Sequence, residues 1–265
     1  MKKILLTLLT VLIPSFAAAW TVADMNMTIN SANFIVDGKC SGTLVSLEHR
    51  LVLTNHHCIG GGVKRVTREI VGPDGAVSKR EMEELRDLDV SQRSYVRNRL
   101  VGEATYKAQI VAKWQESDLA LLQIRADIPN AIAAQVFSGE EVIRGETAYV
   151  VGNPLLLDAT VTKGVVSSVN RMFRVPWANN AEVPFIQVDA GITGGNSGGA
   201  LYNEAGVLIG VPAAGVPGTV VGLAIPYFQI QEFLTANCYG SVWDASAVSH
   251  DACVAAKTAV AEAEK

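Results

Sequence analysis

The amino-acid sequence predicts an all-β fold of the barrel or sandwich type. Short runs rich in Val, Ile, Leu and Thr recur along the chain, and Gly, Pro, Asn and Asp separate them, which is typical of many short strands joined by turns. The chain has 265 residues and is 49% hydrophobic, which is enough for one all-β domain or two fused barrels.

The predicted strands are short and recur along most of the chain. They cover residues 42–45, 50–54, 108–113, 119–124, 147–151, 161–169, 185–188, 207–211 and 220–225. A hairpin is predicted over residues 200–211, because the turn-forming residues from Asn203 to Gly206 separate two apolar runs.

Two segments depart from the strand pattern. Residues 64–107 are dense in both signs of charge, and Met82, Leu85 and Leu88 lie at a spacing that predicts a helix within residues 79–100. We expect this insertion to be solvated, and a partner-binding or regulatory loop is the alternative. The tail, residues 251–265, is rich in Ala, Glu and Lys and predicts a C-terminal helix or a frayed end.

The N-terminus predicts a secretory signal peptide over residues 1–19. Lys2 and Lys3 precede an apolar run at residues 4–16, and three alanines supply a cleavage site before Trp20. A membrane anchor is the alternative, but the run is shorter than the roughly 20 residues that span a bilayer. We therefore expect export without a stable anchor after cleavage, to the periplasm or the outside of the cell.

The charge balance argues against nucleic acid as a partner. The formal net charge is -4, and the sequence has no basic stripe that would neutralise phosphates.

All four cysteines follow the predicted signal peptide, so disulfides are the expected state in an oxidising compartment. Three pairings exist, and joining nearest neighbours in sequence gives Cys40–Cys58 and Cys238–Cys253. A metal site at His56, His57 and Cys58 is the alternative, but consecutive side chains of a strand face opposite ways and seldom converge on one ion. We expect no metal and no cofactor.

Three motifs carry residues suited to nucleophilic catalysis. "LTNHHCIG", residues 53–60, holds two adjacent histidines, and "WQESDLALLQI", residues 114–124, places Asp118 at the mouth of an apolar strand. "GITGGNSGGALYN", residues 191–203, sets Ser197 among glycines that allow backbone amides to converge on one point. A carboxylate beside an apolar strand needs a hydrogen-bond donor, and an imidazole N–H would supply one.

The same motifs resemble known proteases. "CSGTLVS" and "LVLTNHHC" resemble the N-terminal barrel of chymotrypsin-like serine proteases, whose catalytic histidine directly precedes the second cysteine; this selects His57. From residue 106 to residue 226, "YKAQIVAKWQESDLALLQI", "VVGNPLLLDATVTKGVVSSVNR" and "FIQVDAGITGGNSGGALYNEAGVLIGV" resemble the HtrA (Deg)-type protease domain. The resemblance implies two antiparallel six-stranded β-barrels over residues 20–237, followed by a disulfide-stapled tail, residues 238–265. No PDZ-like segment is recognised after Pro226, so peptide sensing by such a module is not expected.

The resemblance also implies roles. His57 would be the general base, Asp118 its orienting carboxylate and Ser197 the nucleophile, with the amides of Gly195 and Ser197 forming the oxyanion hole. His56 and Asp189 are expected to be structural. The predicted substrate-binding residues are Ile192, Pro212, Ala213, Ala214 and Gly215. This apolar set favours a polypeptide substrate with a small or medium aliphatic residue before the cut, and leaves the oligomeric state open.

Parts of the sequence also fit three other functions. Gly195–Gly199 also fits the nucleophile elbow of α/β-hydrolases, but that fold requires a helix after the serine, where this sequence predicts a hairpin. A dipeptidyl peptidase of the chymotrypsin type requires a longer chain. A catalytically silent peptide-binding or chaperone-like protein on a protease fold is the alternative from outside the enzymes.

Overall fold

The computed structural model describes residues 20–263 except 72, 74, 75, 98 and 140. The predicted signal peptide lies outside the described residues. Fourteen strands are described: β1 (Asn33–Val36), β2 (Cys40–Ser46), β3 (Leu51–Thr54), β4 (Val63–Val71), β5 (Val77–Leu85), β6 (Leu88–Val96), β7 (Arg99–Trp114), β8 (Leu119–Ile124), β9 (Thr147–Gly152), β10 (Thr160–Arg174), β11 (Glu182–Val188), β12 (Ala200–Asn203), β13 (Leu208–Gly215) and β14 (Gly222–Pro226).

Twelve of these strands form two closed antiparallel barrels, which confirms the predicted fold class. The strand order is β1-β2-β3-β8-β7-β6 in the first barrel and β10-β11-β14-β13-β12-β9 in the second. Each barrel has an apolar interior: Phe34, Leu53 and Leu121 are fully buried in the first, and Ile186 and Ile209 in the second. The predicted hairpin after Ser197 is present as β12 and β13.

The predicted helix within residues 79–100 is wrong. These residues form β5, β6 and the start of β7, and β4 and β5 make a separate two-stranded ribbon. Leu88 is buried and Met82 and Leu85 are exposed, so their spacing does not mark one buried helical face. Strand pairing instead places opposite charges across the ribbon, with Lys64 facing Glu84, Arg65 facing Glu83 and Glu69 facing Lys79, and such cross-strand pairs stabilise an exposed ribbon.

Three α-helices lie among the described residues: α1 (Val22–Ala32), α2 (Tyr227–Ala236) and α3 (His250–Ala263). The predicted C-terminal helix is confirmed as α3. The sequence analysis does not predict helix α1, although Thr21 and Asp24, which form its capping box, have the spacing of that motif in the sequence. No helix in the described part of the chain combines the length and apolar character needed to cross a membrane.

Two disulfides tie these elements together. Cys40–Cys58 joins the start of β2 to the 3-10 helix His56–Gly62, and Cys238–Cys253 joins the residues after α2 to α3. The first bond thus constrains the segment that carries both histidines of the HHC motif.

Candidate active site

The pairing of β3 with β8 brings His57 to Asp118. Thr54 at the end of β3 faces Ala120 near the start of β8, so the residue that precedes β8 meets the residues that follow β3. His57 Nδ1 lies 2.8 Å from Asp118 Oδ2, and the His57 backbone N–H donates to Asp118 Oδ1 at 2.9 Å. Because an ionised carboxylate only accepts, His57 Nδ1 is the donor of this hydrogen bond.

Hydrogen bonds hold the backbone of Asp118 as well as its side chain. Its carbonyl oxygen accepts from the His56 N–H at 3.0 Å and from Asn55 Nδ2 at 2.9 Å. It is a non-glycine residue in the left-handed region, with φ 52°, and only 3% of its surface is exposed. Strain of this kind persists where surrounding contacts enforce it.

His56 lies apart from the His57–Asp118 hydrogen bond. Its ring lines a separate cavity of about 280 Å³ with Glu83 and Lys113, which form an ion pair. Burial lowers the pKa of His56 below its ordinary value, more strongly than nearby Asp118 raises it. The imidazole is therefore neutral at pH 7, in keeping with the structural role expected for it.

Ser197 lies in the glycine-rich loop, residues 191–199, between β11 and β12. Gly195 and Gly198 have φ values of 100° and 83°, which side-chain-bearing residues rarely adopt. A Cβ atom at Gly195 would lie 2.3 Å from the Asn153 carbonyl oxygen, and one at Gly198 would lie 2.1 Å from Thr54 Oγ1. Glycine is required at both positions on conformational and steric grounds.

Ser41 anchors this loop from the first barrel. Its hydroxyl donates to the Gly195 carbonyl at 2.7 Å, and its N–H donates to the Ser197 carbonyl at 2.8 Å. The same hydroxyl accepts from the backbone N–H of Asn153 at 2.9 Å, and the Ser41 carbonyl accepts from Thr54 Oγ1 at 2.8 Å. Ser41 is fully buried, so these hydrogen bonds are shielded from water.

The loop leaves two backbone donors without a protein acceptor. Among the described residues, neither the Gly195 N–H nor the Ser197 N–H donates to a backbone or side-chain oxygen. The Gly194 carbonyl accepts from the Leu155 N–H at 2.8 Å, and since a trans peptide is planar, the Gly195 N–H points the opposite way. These two amides are the predicted oxyanion-hole donors.

The Ser197 hydroxyl donates to the Ala213 carbonyl at 3.4 Å, a long hydrogen bond. Within the described residues it makes no hydrogen bond to His57, whose side chain is 48% exposed. Catalytic hydrogen bonds are often long or misaligned before substrate binds and tighten in the complex.

The predicted substrate-binding residues border Ser197 along β13. β12 pairs with β13 only as far as Gly210, so residues 213–215 keep one strand edge unpaired by β12. The Pro212 carbonyl accepts from the Gly198 N–H at 3.0 Å, so Pro212 supports the loop itself. Ile192 is 8% exposed, and a Cβ atom on Gly222 would lie 2.7 Å from its Cδ1, so its side chain packs against the start of β14.

Two further groups have structural explanations. Asp189 Oδ1 accepts from the Val165 N–H at 2.6 Å and links the residue after β11 to β10. Ligand atoms of Cys40, His57 and Cys58 lie within 4.8 Å of one another, but both sulfurs belong to the disulfide and metal binding requires thiolates.

Sequence reasoning missed the residues that support the glycine-rich loop. Ser41 follows Cys40 in β2, and Asn153 directly follows the end of β9; both are buried, and a buried polar residue needs hydrogen-bond partners. A polar residue within an apolar strand segment was the signal that the sequence offered, but it did not show which distant residues would be its hydrogen-bond partners.

The chain belongs to the trypsin-like peptidase domain family, whose model matches residues 40–211. It is similar to the curated HtrA proteases. It is 34% identical over 149 residues to the serine protease HTRA1A of Danio rerio, covering 56% of this chain and 30% of the relative. It is 36% identical over 145 residues to the mitochondrial serine protease HTRA2 of Bos taurus, covering 55% and 31% respectively. The match to the serine protease HhoA of Synechocystis, itself named as putative, has 36% identity over 137 residues and covers 50% and 35%. The chain thus spans about a third of the length of these relatives.

Solved structures give the same family. The HtrA-type protease AlgW with a decapeptide is 26% identical, with a TM-score of 0.55, covering 75% of this chain and 51% of the other. A structure of the same protease with a tripeptide has 25% identity and a TM-score of 0.57, covering 78% and 60%.

Proposed function

We propose that this protein is a serine endopeptidase that uses Ser197, His57 and Asp118. The observation that carries the proposal is the 2.8 Å contact between His57 Nδ1 and Asp118. The Cys58 sulfur, next to His57 in sequence, lies 3.7 Å from the carbonyl oxygen of Ser197, whose loop leaves two amides free. Membership of the trypsin-like peptidase family supports it.

In the first step Ser197 Oγ attacks the scissile carbonyl carbon while His57 Nε2 takes the hydroxyl proton. The carbonyl oxygen becomes an oxyanion, which the Gly195 and Ser197 N–H groups stabilise by roughly 3 to 4 kcal/mol each. The tetrahedral intermediate collapses, and His57 returns the proton to the departing amine. A water molecule then hydrolyses the acyl-enzyme through the same base, and Asp118 stabilises the imidazolium each time.

Substrate would bind as an extended strand on the open edge of β13, residues 213–215, since unpaired strand edges accept peptide main chain. Ile192 packs against Gly222 at the start of β14, the strand that pairs with β13, and would give the site for the residue before the cut an apolar wall. We infer a preference for Val, Ala, Ile or Leu at that position. Gly191, six positions before Ser197, carries no charge, so a basic residue before the cut would gain no ion pair there.

The protein would act after export, as the predicted signal peptide implies. Two disulfides agree with an oxidising compartment, where such bonds persist. Unfolded or extended polypeptides are the proposed substrates.

The test uses the purified protein and a Ser197→Ala variant. We expect a fluorophosphonate probe to label the wild-type protein at Ser197 and to leave the variant unlabelled. In a peptide library read by mass spectrometry, cuts should follow small or medium aliphatic residues. Peptide binding without labelling or cleavage would support the alternative of a catalytically silent peptide-binding protein. Cuts dominated by Arg, Lys or Glu would contradict the proposed specificity.

A further inference from the structure

One cysteine pair lies directly against the candidate general base. Cys58 follows His57 in sequence and is fully buried, and its disulfide partner Cys40 is 7% exposed. Ligand atoms of Cys40, His57 and Cys58 lie within 4.8 Å of one another. Among the described residues this is the one group of His, Cys, Asp and Glu side chains whose arrangement suits a shared metal ion. The other pair, Cys238 and Cys253, has no such third member in the described part of the chain.

The two sulfurs near His57 are thiols until their disulfide forms. An exported chain is synthesised in a reducing compartment, where thiols persist, and the proposed export implies this history. Zinc prefers thiolate and imidazole ligands, with Zn–S bonds of about 2.3 Å. The Cα atoms of Cys40 and Cys58 are 5.9 Å apart, so two thiolates at these positions lie close enough to share one ion.

His57 is already oriented in the way that zinc-binding histidines are. Its Nδ1 donates to Asp118 Oδ2 at 2.8 Å, so in the neutral ring Nε2 is the nitrogen with a free lone pair. A metal-bound histidine almost always donates its other N–H to a carboxylate, a carbonyl or water, which fixes the ring and makes it a stronger ligand. Asp118 supplies this partner. The His57 side chain is 48% exposed, which leaves a path for the ion and a fourth position for water.

An ion held by these three residues would inactivate the base. The lone pair of His57 Nε2 accepts the Ser197 proton in the proposed mechanism, and a metal bond would occupy that lone pair. The Cys58 sulfur lies 3.7 Å from the Ser197 carbonyl oxygen, and Cys40 directly precedes Ser41, which anchors the same loop. The cysteine pair therefore lies between the base and the loop that carries the nucleophile.

We propose that the thiol form of the protein holds a zinc ion on Cys40, Cys58 and His57, and that this site keeps the peptidase inactive until the disulfide forms. The inference rests on the proposed endopeptidase function and adds its regulation. In the activating step one thiolate attacks a disulfide oxidant, and the second thiolate displaces the oxidant's sulfur to form Cys40–Cys58. The protein sulfurs lose two electrons, the oxidant gains them with two protons from solvent and leaves as a dithiol, and the zinc ion is released.

The first test measures metal binding to purified protein that carries Cys238→Ser and Cys253→Ser, so that one cysteine pair remains. This parent protein is reduced with a phosphine in the absence of oxygen and titrated with Co²⁺, a coloured substitute for zinc. We expect a single ion to bind with a thiolate-to-cobalt charge-transfer band, and Zn²⁺ to displace it. The oxidised parent should show no such band. A reduced protein without the band, or an equal band in the oxidised protein, would overturn the proposal.

Variants of the ligands distinguish this site from metal capture by any two thiols. Cys40→Ser and Cys58→Ser should each abolish the charge-transfer band. Asp118→Asn should lower the zinc affinity about 10- to 100-fold, the usual cost of removing an outer partner, and His57→Ala should lower it further. His56→Ala is the matched control and should keep the parent's affinity, because its ring lines a different cavity. Equal zinc affinity in the parent and in His57→Ala would contradict the assignment.

Circular dichroism keeps this test decisive if the reduced chain folds poorly without metal. Folding of the reduced parent on addition of zinc, with no such response in His57→Ala, would support the site, since the free energy of metal binding then contributes to folding. A reduced chain that stays unfolded with zinc would refute the site.

Activity measurements separate the regulation from the proposed function. Stoichiometric zinc should abolish peptide hydrolysis by the reduced parent, a chelator should restore it, and the oxidised parent should keep its activity in the same zinc concentration. A reduced protein that is equally active with and without zinc, or equally inactive with zinc and with chelator, would refute the regulatory role. An oxidised protein with no peptidase activity would refute the endopeptidase, and the binding measurements would still decide the metal site.

Discussion

The two barrels hold their shares of the candidate active site in different ways. The first barrel carries His57 and Asp118 on neighbouring strand ends, where hydrogen bonds within that barrel, including two to the Asp118 carboxylate, orient the pair. The second barrel carries Ser197 on a loop that Leu155 and Pro212 of the same barrel hold in part. Ser41 of the first barrel donates two further hydrogen bonds, to the Gly195 and Ser197 carbonyls.

The His57–Asp118 pair is thus held by contacts inside one barrel, whereas the loop that carries Ser197 also needs contacts from the other barrel. The His57–Asp118 pair depends on the pairing of β3 with β8 inside one barrel. The Gly195–Ser197 backbone depends in addition on how the barrels dock, because Ser41 of the first barrel bonds both the Gly195 and the Ser197 carbonyl. The geometry of the oxyanion hole should therefore respond to changes in the first barrel that never touch substrate.

The largest expected effect comes from the histidine pair. His57→Ala removes the proposed base, and peptide hydrolysis should fall by about 10⁴-fold or more. His56→Ala is the matched variant, and it should retain a measurable part of the activity because its ring lines a different cavity. Steady-state kinetics on one peptide substrate measure both, with circular dichroism to check folding. Greater loss in His56→Ala than in His57→Ala would reverse the assignment of the two residues.

The second test uses two neighbouring glycines of the loop that carries Ser197. Gly195→Ala forces a side chain toward the Asn153 carbonyl at φ 100°, so we expect about a 10²- to 10³-fold loss of kcat from displacement of an oxyanion donor. Gly194→Ala meets nothing within 4 Å of its added Cβ and should change kcat by less than about tenfold. Similar losses in the two variants would show that the amide of Gly195 has no special role.

Ser41→Ala should have the smallest of the three effects. It removes the hydroxyl bonded to the Gly195 carbonyl, and we expect kcat to fall by about tenfold while KM changes little, because one hydrogen bond contributes about 1 to 2 kcal/mol. Ser46→Ala removes another buried hydroxyl of β2, which bonds only the His49 N–H among its described partners, and should leave kcat near wild type.

A readout specific to the oxyanion makes the Ser41 prediction sharper. A peptide boronate places an oxygen at the two amides, so Ser41→Ala should weaken boronate binding more than it weakens binding of a cleaved peptide product. Equal weakening of both ligands would indicate a general loss of structure.

Much of the fold could be predicted because strand signals are local. Runs rich in Val, Ile, Leu and Thr and the turn residues between them predicted parts of both barrels, as with β8 at residues 119–124 and β12–β13 around Asn203. The helix expected within residues 79–100 failed because Met82 and Leu85 were taken for a buried face, whereas the exposed ribbon gains its stability from charges on a partner strand. A pairing between separate strands is not visible in the spacing of either one.

The sequence by itself determined which residues could take part in chemistry: two adjacent histidines, an aspartate before an apolar strand and a serine among glycines. These are local signals, since each depends on a few neighbouring residues. Only the tertiary structure decided that Nδ1 of His57 lies 2.8 Å from Asp118 and that Ser41 bonds the loop 154 residues further along. Distances of this kind follow from barrel closure and docking, which depend on contacts between residues far apart in the chain.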